Sequence, residues 1–473
     1  MIEARWRQRS FAEGFLSEAV DEFWDDWMRA VDHVLDDDAL VATVYEALSQ
    51  RHPQSRRRGR VGFPAEVVLR MLLLKHIRAW SFAVLEREVR TNLLYREFTR
   101  VRGGKVPDAK TLGRLALAVG PDVVAALHQR VVAITREKKV IAGRKMRVDT
   151  TVVETNIHYP TDSSLLGDGV RVLTRLMKKV TAITGPVGAT VRDRTRSVKR
   201  RVLAIGRASR DKSAKGQAKM TALYQTLLAA TGRVVGQARR FITEMADGVK
   251  MGADVRQQAA VDGLKHALEV MLPRVQQVIQ QTKARVLGGD TRAPGKLVSL
   301  FEPSTEIIRK GKASKPTEFG KLVKIQEAEQ QIITAYEVYA QRPSDRELLV
   351  PAIVVHEERA GRVPDLVAAD PGFYSAAAET TAKDLGVTRV SVPNGGTKSA
   401  QRKQEQRKRW FKQAQRWRTG CEGRISVLKR RHGLNRCRYK GDAGMQRWVG
   451  LGVIGDNLIN LGLALARSNA KIE

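Results

Sequence analysis

The chain has 473 residues, of which 84 are Lys or Arg and 50 are Asp or Glu, so its formal net charge is +34. Its length predicts two to four domains, because a single hydrophobic core seldom serves more than about 250–300 residues. Most globular enzymes carry no such surplus of positive charge, and the two usual reasons for one are nucleic acid and an anionic membrane.

The sequence favours nucleic acid over a membrane. Its most apolar run, Val449 to Ala466, contains one Asp and two Asn residues, which predicts a buried helix rather than a membrane span. The first residues show no charged region followed by an apolar one, so we expect no secretory signal there. The two cysteines, Cys421 and Cys437, have neither metal-binding nor redox spacing, and we expect both to be reduced in the cytoplasm.

Residues 1–135 are predicted to be helical. The first 60 residues form an acidic segment, with 11 acidic and 4 basic side chains in residues 1–40. In residues 61–135, apolar side chains recur at helical spacing, and Asp108 is placed to cap the helix that follows it. Several short helices with basic exposed faces are typical of a helix-turn-helix-like DNA-binding module. An ordinary helical bundle fits the same pattern equally well.

A mixed α/β domain is predicted to follow, formed by residues 140–162 and 295–435. The β-branched run from Lys145 to Val153 alternates as a strand does. Helical segments at 345–358 and 375–385 lie between the later strands. Those later strand-like stretches span residues 297–301, 322–325, 332–338, 366–370 and 389–392.

A helical insertion, residues 163–294, interrupts this domain, and residues 436–473 form a C-terminal helical segment. In the insertion, two apolar seams with 3-4 spacing predict an antiparallel helical hairpin, with its turn near 247–252 and a kink at Pro273. Residues 192–219 carry 11 Lys or Arg against two Asp. This stretch is either a disordered charged linker or a DNA contact, and we favour the contact.

Three carboxylates stand out by position. Asp149 lies within the first strand, Asp370 at the end of a later strand, and Glu422 on the last long basic helix. Carboxylates that converge from such elements bind Mg²⁺ through oxygen and leave places for water and phosphate. Two ions held in this way activate a water or a 3′-hydroxyl and stabilise the leaving oxygen at phosphorus. Each residue alone is a weak signal, because an Asp at a strand end is more often a turn residue.

Cations surround Glu422. At about 100° per residue, Arg418, Glu422 and Lys429 fall within roughly 40° of one another on one helix face. We expect Arg418, Lys429 and the neighbouring Arg424 to contact DNA phosphate. The simpler alternative is a surface pair between Arg418 and Glu422, worth a few tenths of a kcal/mol. Residues 398–440 contain 16 Lys or Arg, so cations would flank Glu422 in this way by chance about one time in seven.

Four stretches, taken in order, carry a family resemblance. They are Val148–Ser163, then Ile308–Lys312 followed by Glu318-Phe319-Gly320, then Asp370-Pro371-Gly372-Phe373, and finally Arg418-x₃-Glu422-x₆-Lys429. Together they resemble the DDE transposases of bacterial insertion sequences, close to the ISNCY group, whose two aspartate blocks and central stretch they match. The last stretch matches the family signature tyrosine-x₂-arginine-x₃-glutamate-x₆-lysine, except that Gln415 holds the tyrosine position. The similarity covers nearly the whole chain.

The resemblance implies an α/β RNase H-like core, a mixed sheet flanked by helices, with an all-α N-terminal module and a helical insertion. It implies that Asp149, Asp370 and Glu422 bind two Mg²⁺ ions, for which Mn²⁺ substitutes. The reaction would be strand cleavage at the element ends and transfer of the 3′-OH into target DNA. The N-terminal helices would recognise terminal inverted repeats in double-stranded DNA. Such enzymes act as homodimers or larger assemblies on paired ends, here in the bacterial cytoplasm with the nucleoid.

Some assignments stay open at the level of sequence. Lys310 and Lys312 fit phosphate contacts and a solvated loop equally well. Glu318 competes for a carboxylate role near the metal ions, although a structural salt bridge is the more common use of such a residue. Two other functions share the same motifs: a metal-dependent nuclease without strand transfer, and a non-catalytic DNA-binding protein derived from a transposase. The intact set of three carboxylates disfavours the second.

Overall fold

A computed structural model describes residues 1–6, 18, 20–58, 61–185, 190–248, 255–309 and 316–469. The chain divides into two compact units. The first comprises Met1–Asn156 and Ile308–Glu473, and the second comprises Ile157–Ile307. Along the chain, the second unit therefore separates the first long strand of the sheet from the others.

Helices dominate both units. They are α1 (Asp26–Val34), α2 (Asp38–Ser49), α3 (Ala65–Ile77), α4 (Phe82–Thr91), α5 (Leu93–Phe98), α6 (Ala109–Ala118), α7 (Pro121–Glu137), α8 (Asp162–Thr184), α9 (Thr195–Ala208), α10 (Ala214–Gly248), α11 (Val255–Val286), α12 (Leu349–Ala360), α13 (Ala376–Asp384), α14 (Ala400–Arg407), α15 (Arg409–Arg431) and α16 (Gly441–Asn469). The strands are β1 (Lys145–Glu154), β2 (Glu306–Arg309), β3 (Thr317–Glu327), β4 (Ile333–Val338), β5 (Leu366–Ala368) and β6 (Arg389–Ser391).

The predicted cap of helix α6 is confirmed. The Asp108 carboxylate accepts hydrogen bonds from the backbone N–H groups of Lys110 and Thr111 at 3.0 and 2.9 Å. These two groups are among the first N–H groups of the helix, which have no partner within it. A side-chain acceptor in this position satisfies them and thereby defines where the helix begins.

Acidic residues of the first segment neutralise two buried arginines. Arg70 on α3 is 0 % exposed. It donates to Asp32 and Asp36 at 2.7 Å each and to Glu66 at 3.2 Å, and Arg100 donates to the same two aspartates. Burial raises the pKa of Asp36, but the attraction of the two arginines outweighs burial and the pKa lies below its ordinary value. Because a buried guanidinium is tolerated only beside such partners, the acidic character of this segment has a structural cause.

One hydrophobic core joins the first helices to α16. Val31 of α1, Val68 of α3 and Val131 of α7 are buried in it together with Leu458 of α16. The packing therefore does not separate the predicted N-terminal segment, the N-terminal module and the C-terminal segment from one another.

Helix α16 is a core helix, as its sequence predicts. Among the described helices, α16 is the only single helix that is long and apolar enough, over Gly441–Ser468, to cross a membrane. Of its most apolar 18 residues, however, 78 % are buried inside the protein. Its polar residues bind neighbouring elements. Asn457 accepts from the backbone N–H of Ile333 and donates to its carbonyl, both at 2.8 Å, and Asp456 pairs with Arg424 at 2.8 Å.

A six-stranded mixed sheet with flanking helices confirms the predicted mixed α/β architecture. The strand order is β2-β3-β1-β5-β6, and β4 pairs with β3. Strand β1 is antiparallel to β3 and parallel to β5, with Arg147 opposite Ala368 in the parallel pair. Val148 packs in a core with α12, whereas Val153 packs in a core with α15. Because strand side chains alternate, the odd-numbered residues of β1, including Asp149, lie on the α15 face.

Two details of the predicted sheet are wrong. Residues 297–301 form no strand, because side chains take the backbone hydrogen bonds that a neighbouring strand would supply. The Gln281 side chain accepts from the Leu297 N–H at 2.9 Å and donates to its carbonyl at 3.0 Å. The pattern also misses β2, which has four residues and is too short to show alternation.

The second unit is a body built from helices α8 to α11 around a core of its own. Both predicted seams are present, with Phe241 of α10 and Val278 of α11 buried in one cluster. Leu173 of α8 lies in the same cluster, so the unit is larger than the predicted two-helix hairpin. The helix α10 is described to Gly248, and the rest of the predicted turn near 247–252 lies outside the described residues. Helix α11 continues through Pro273.

The basic stretch 192–219 contains helix α9, which contradicts the alternative of a disordered linker. Val198 and Ile205 of this helix are 1 % and 3 % exposed, so its apolar face is packed. Arg194 lies just before the helix. Burial, and then repulsion by three neighbouring arginines, lowers the pKa of its guanidinium. The exposed cations of the helix are Arg196, Lys199, Arg200 and Arg207.

Replacing Arg70 with Met is expected to destabilise the first unit by about 3–5 kcal/mol, because Asp32 and Glu66 would remain buried without this cation. The matched change Arg29→Met should cost at most about 1 kcal/mol, since Arg29 pairs with Asp21 through side chains that are 44 % and 63 % exposed. Urea unfolding of the full chain, followed by tryptophan fluorescence, measures both. Equal losses in the two variants would contradict a structural role for the buried cluster.

Candidate active site

The register of the parallel pair β1–β5, extended by two residues, aligns Asp149 with Asp370. Arg147 lies opposite Ala368, and two further residues along each chain bring the two aspartates level with one another. Adjacent strands are about 4.8 Å apart, and side chains at the same level of a parallel pair project to the same face. Asp149 lies in the middle of β1 and Asp370 lies two residues after β5 ends, so this register aligns the two residues at the carboxyl end of β5.

Local backbone structure holds each aspartate at this edge. Asp370 caps a short 3₁₀ turn, Pro371–Phe373, and its carboxylate accepts from the N–H of Gly372 at 2.8 Å. The Asp149 carboxylate accepts from the N–H of Thr150 at 2.7 Å. Asp370 follows the end of β5, whereas Asp149 lies within the paired part of β1. In both cases a backbone hydrogen bond helps to direct the side chain.

Glu422 lies on α15 and shares a surface cavity with Asp149. The cavity has a volume of about 770 Å³, and Lys429 is among the residues that line it. The remaining lining residues are Thr150, Thr151, Ile425, Ser426, Arg430 and Asn435. The predicted helix face thus opens onto the first aspartate of the site.

Arg418 stands between two of the three carboxylates. Its Nη2 donates to Oε1 of Glu422 at 2.9 Å, and its Nη1 lies 3.8 Å from Oδ2 of Asp149. The Arg418 side chain is only 14 % exposed, whereas that of Glu422 is 57 % exposed. The i,i+4 pair expected from the sequence is present, but the same guanidinium also reaches the strand.

Gln415 shows what the position of the family tyrosine does in this chain. Its amide nitrogen donates to the carbonyl of Ser391 at 2.7 Å, to the Ser391 hydroxyl at 3.0 Å and to the carbonyl of Ala369 at 3.3 Å. These bonds tie α15 to the ends of β5 and β6, next to Asp370. A second tie comes from Arg147, which donates to the carbonyl of Trp417 and whose guanidinium lies 4.9 Å from the centre of the Trp417 ring.

The donor set suits a hard divalent cation, although it is not gathered around a metal position. Three carboxylates offer the oxygen ligands that Mg²⁺ prefers, and the β1–β5 register aligns two of them when it is extended beyond the end of β5. Among the described residues, no three His, Cys, Asp or Glu side chains are close enough together to hold a metal ion. The Arg418 guanidinium accounts for part of this spacing, because it lies between Glu422 and Asp149.

The residues that were predicted to contact DNA lie in different surroundings in the structure. Lys429 lines the cavity with Asp149 and Glu422. Arg424 requires a correction: it is 8 % exposed and pairs with Asp456 at 2.8 Å, so it joins α15 to α16 and does not face a phosphate. Lys310 and Lys312 lie outside the described residues.

Asp345 and Glu327 are acidic neighbours of the site that the sequence did not indicate. Oδ1 of Asp345 accepts from the Thr150 hydroxyl at 3.4 Å. Glu327 is 0 % exposed and pairs with Arg147 on β1. The sequence does not reveal Asp345, because it resembles an ordinary residue at a helix start. It does not reveal Glu327, because the partner of Glu327 is 180 positions away.

Of two other residues considered from the sequence, Glu318 lies away from the aspartates, whereas Cys421 lies near Asp149 but is buried. In β3, Ile325 is opposite Asp149, and Glu318 lies seven residues further back, roughly 23 Å along the strand. Cys421 precedes Glu422 but is fully buried; burial, and then the negative charges of Glu327 and Asp149, raise the pKa of its thiol. A protonated, buried thiol offers no nucleophile.

Comparisons with known families assign the two ends of the first unit. Residues 18–116, which include α1 to α5 and most of α6, match the family described as Transposase domain (DUF772). Residues 382–462, which include Glu422 and Lys429 on α15, match the family described as Transposase DDE domain. No curated protein and no solved structure matches the chain. With both domain matches in their expected order and the ordered motifs described above, the chain belongs to the DDE transposases of insertion-sequence type.

Proposed function

We propose that this transposase cleaves DNA at the ends of its element and transfers the 3′-OH into target DNA at a site formed by Asp149, Asp370 and Glu422. The proposal is supported by the β1–β5 register, which aligns Asp149 with Asp370 when it is extended by two residues, and by the cavity that Asp149 and Glu422 both line. A central strand that is antiparallel to one neighbour and parallel to the other, with one acid in its middle and another just after its parallel neighbour, supports an RNase H-like core.

The chemistry needs divalent cations, for which we propose two Mg²⁺ ions with Mn²⁺ as a substitute. When bound, such ions activate a water or a 3′-hydroxyl and neutralise charge at the leaving oxygen. Asp149, Asp370 and Glu422 would hold them, because carboxylates brought this close repel one another unless a cation lies between them. Lys429 would hold a backbone phosphate beside the carboxylates and so align the reacting bond.

The DNA itself would bind along several basic surfaces. We propose that the N-terminal helices recognise the terminal inverted repeats and that the exposed cations of α9 contact the phosphate backbone. The clustering of Arg194 with three other arginines is typical of a surface that meets an anionic partner. Pairing of two element ends would require a homodimer or a larger assembly. We place the protein in the cytoplasm with the nucleoid.

The substitutions Asp149→Asn and Glu422→Gln are expected to lower strand cleavage at least about a thousandfold, because each removes a metal-binding charge while keeping the side-chain shape. A gel assay on labelled element-end DNA with Mg²⁺ measures this, and a chelator should abolish the wild-type reaction. Glu154→Gln serves as the control, because Glu154 follows in the same strand but pairs with Arg436.

The same assay with precut ends separates the proposal from its alternatives. Joining of the 3′-OH to target DNA supports a transposase, whereas cleavage without joining would favour a nuclease. Transposition that survives Asp149→Ala would refute the site and favour a protein that acts through DNA binding alone.

Lys429→Gln and Arg424→Gln are expected to differ in kind, although both remove one charge from α15. Lys429→Gln should weaken DNA binding on all sequences and reduce the slope of log affinity against log salt by about 1. Arg424→Gln should instead destabilise the fold by about 3–5 kcal/mol, because Asp456 would be left buried without its cation. Fluorescence anisotropy at several salt concentrations and thermal unfolding measure the two effects. Similar salt slopes for Lys429→Gln and the wild type would contradict the phosphate contact.

The triple substitution of Lys199, Arg200 and Arg207 by Gln tests the α9 surface. If all three cations contact phosphates, the salt slope should fall by about 2–3, while cleavage of bound DNA continues. A matched triple in the same unit, Arg256, Lys283 and Arg292 to Gln, removes the same charge from other exposed positions. Equal loss of affinity in the two triples would show only a general charge effect.

A further inference from the structure

The Arg418 guanidinium occupies a place where the proposed chemistry needs a cation. It contacts Glu422 on its own helix at 2.9 Å and Asp149 on β1 at 3.8 Å. A pair formed only along the helix surface would not reach the strand. The side chain is largely buried, with 14 % exposed, and its two terminal nitrogens face one carboxylate each.

Two residues just before Arg418, Gln415 and Trp417, tie its helix to the sheet. Gln415 binds the ends of β5 and β6 through three hydrogen bonds, and the carbonyl of Trp417 accepts from Arg147. Helix α15 therefore has little freedom to move away from the sheet at this point. The long Arg418 side chain can rotate without such a movement, because its charged group lies at the end of a flexible stem.

We infer that Arg418 is the resident counter-ion of the site, which a metal ion must displace, and that DNA assists by taking up the displaced guanidinium on a phosphate. This inference rests on the proposed function. While Arg418 lies between Asp149 and Glu422, the two carboxylates are neutralised and held apart from a shared ion. Guanidinium groups bind phosphate through two parallel hydrogen bonds, so a bound DNA backbone offers Arg418 an equivalent partner.

Metal and DNA should therefore bind cooperatively. Any factor by which DNA raises the affinity for metal must equal the factor by which metal raises the affinity for DNA, and such factors commonly lie between about 5 and 150. Arg418 is thus a positioning residue: it acts through the two carboxylates and sets when the metal site forms. The free protein would load metal poorly, and the complex with DNA would load it well.

The test is a titration of the full-length protein with Mn²⁺, read by electron paramagnetic resonance of the free ion, with and without a short DNA duplex. The wild type should bind Mn²⁺ at least about fivefold more tightly when DNA is present. Arg418→Gln should bind Mn²⁺ without DNA at least about fivefold more tightly than the wild type, and DNA should add little. Arg416→Gln is the control, because Arg416 is exposed on the same helix and its loss removes the same charge.

Equal Mn²⁺ affinity in Arg418→Gln and Arg416→Gln would overturn the inference. The variant Asp149→Asn separates this failure from that of the proposed function. If Mn²⁺ binding persists in Asp149→Asn, the proposed metal site itself is refuted. Arg418→Lys is a second variant in case Arg418→Gln unfolds. It keeps the charge but cannot bridge two carboxylates through a planar fork, so its Mn²⁺ affinity without DNA should exceed that of the wild type; an unchanged affinity would again overturn the inference.

Discussion

The parallel pairing of β1 with β5 is the constraint on which the site depends. Hydrogen bonding between these strands determines which residue of one lies level with which residue of the other, and a shift by one residue would turn a side chain to the opposite face. With Arg147 opposite Ala368, the positions two residues further along each chain, just beyond the end of β5, are both aspartates. Helix α15 must then lie across the same face, and the Gln415 amide and Arg147 hold it there.

Local periodicity explains why much of this fold could be predicted. The alternation from Lys145 to Val153 and the 3-4 spacing in α10 and α11 record which side of each element is buried, and this information is present in a short window. Strand order, register and the partner of each charge are set by residues that are far apart along the chain. The short strand β2 and the loop at 297–301 were mispredicted for that reason, since other parts of the chain decide their hydrogen bonds.

The cations of α15 show the same limit at the level of single residues. Arg418, Arg424 and Lys429 are similar in the sequence, and all three were predicted to contact DNA. In the structure one lies between carboxylates, one is buried against Asp456, and one lines the cavity. A surplus of positive charge therefore does not identify the residues that meet the nucleic acid, because some of that charge balances acids inside the fold.

The helices α1, α3 and α7 share their core with α16, which is the last described element to be synthesised. Strand β3 begins 163 residues after β1 ends (317 minus 154), and at bacterial rates its synthesis follows roughly 10–30 s later. Helix α16 follows every other described element, so the N-terminal helices complete their core only when it arrives. A partly made chain would thus have its first aspartate and much of its helical module, yet neither a closed core nor Glu422. If the site forms as proposed, DNA recognition and cleavage would both wait until almost the whole described chain has left the ribosome.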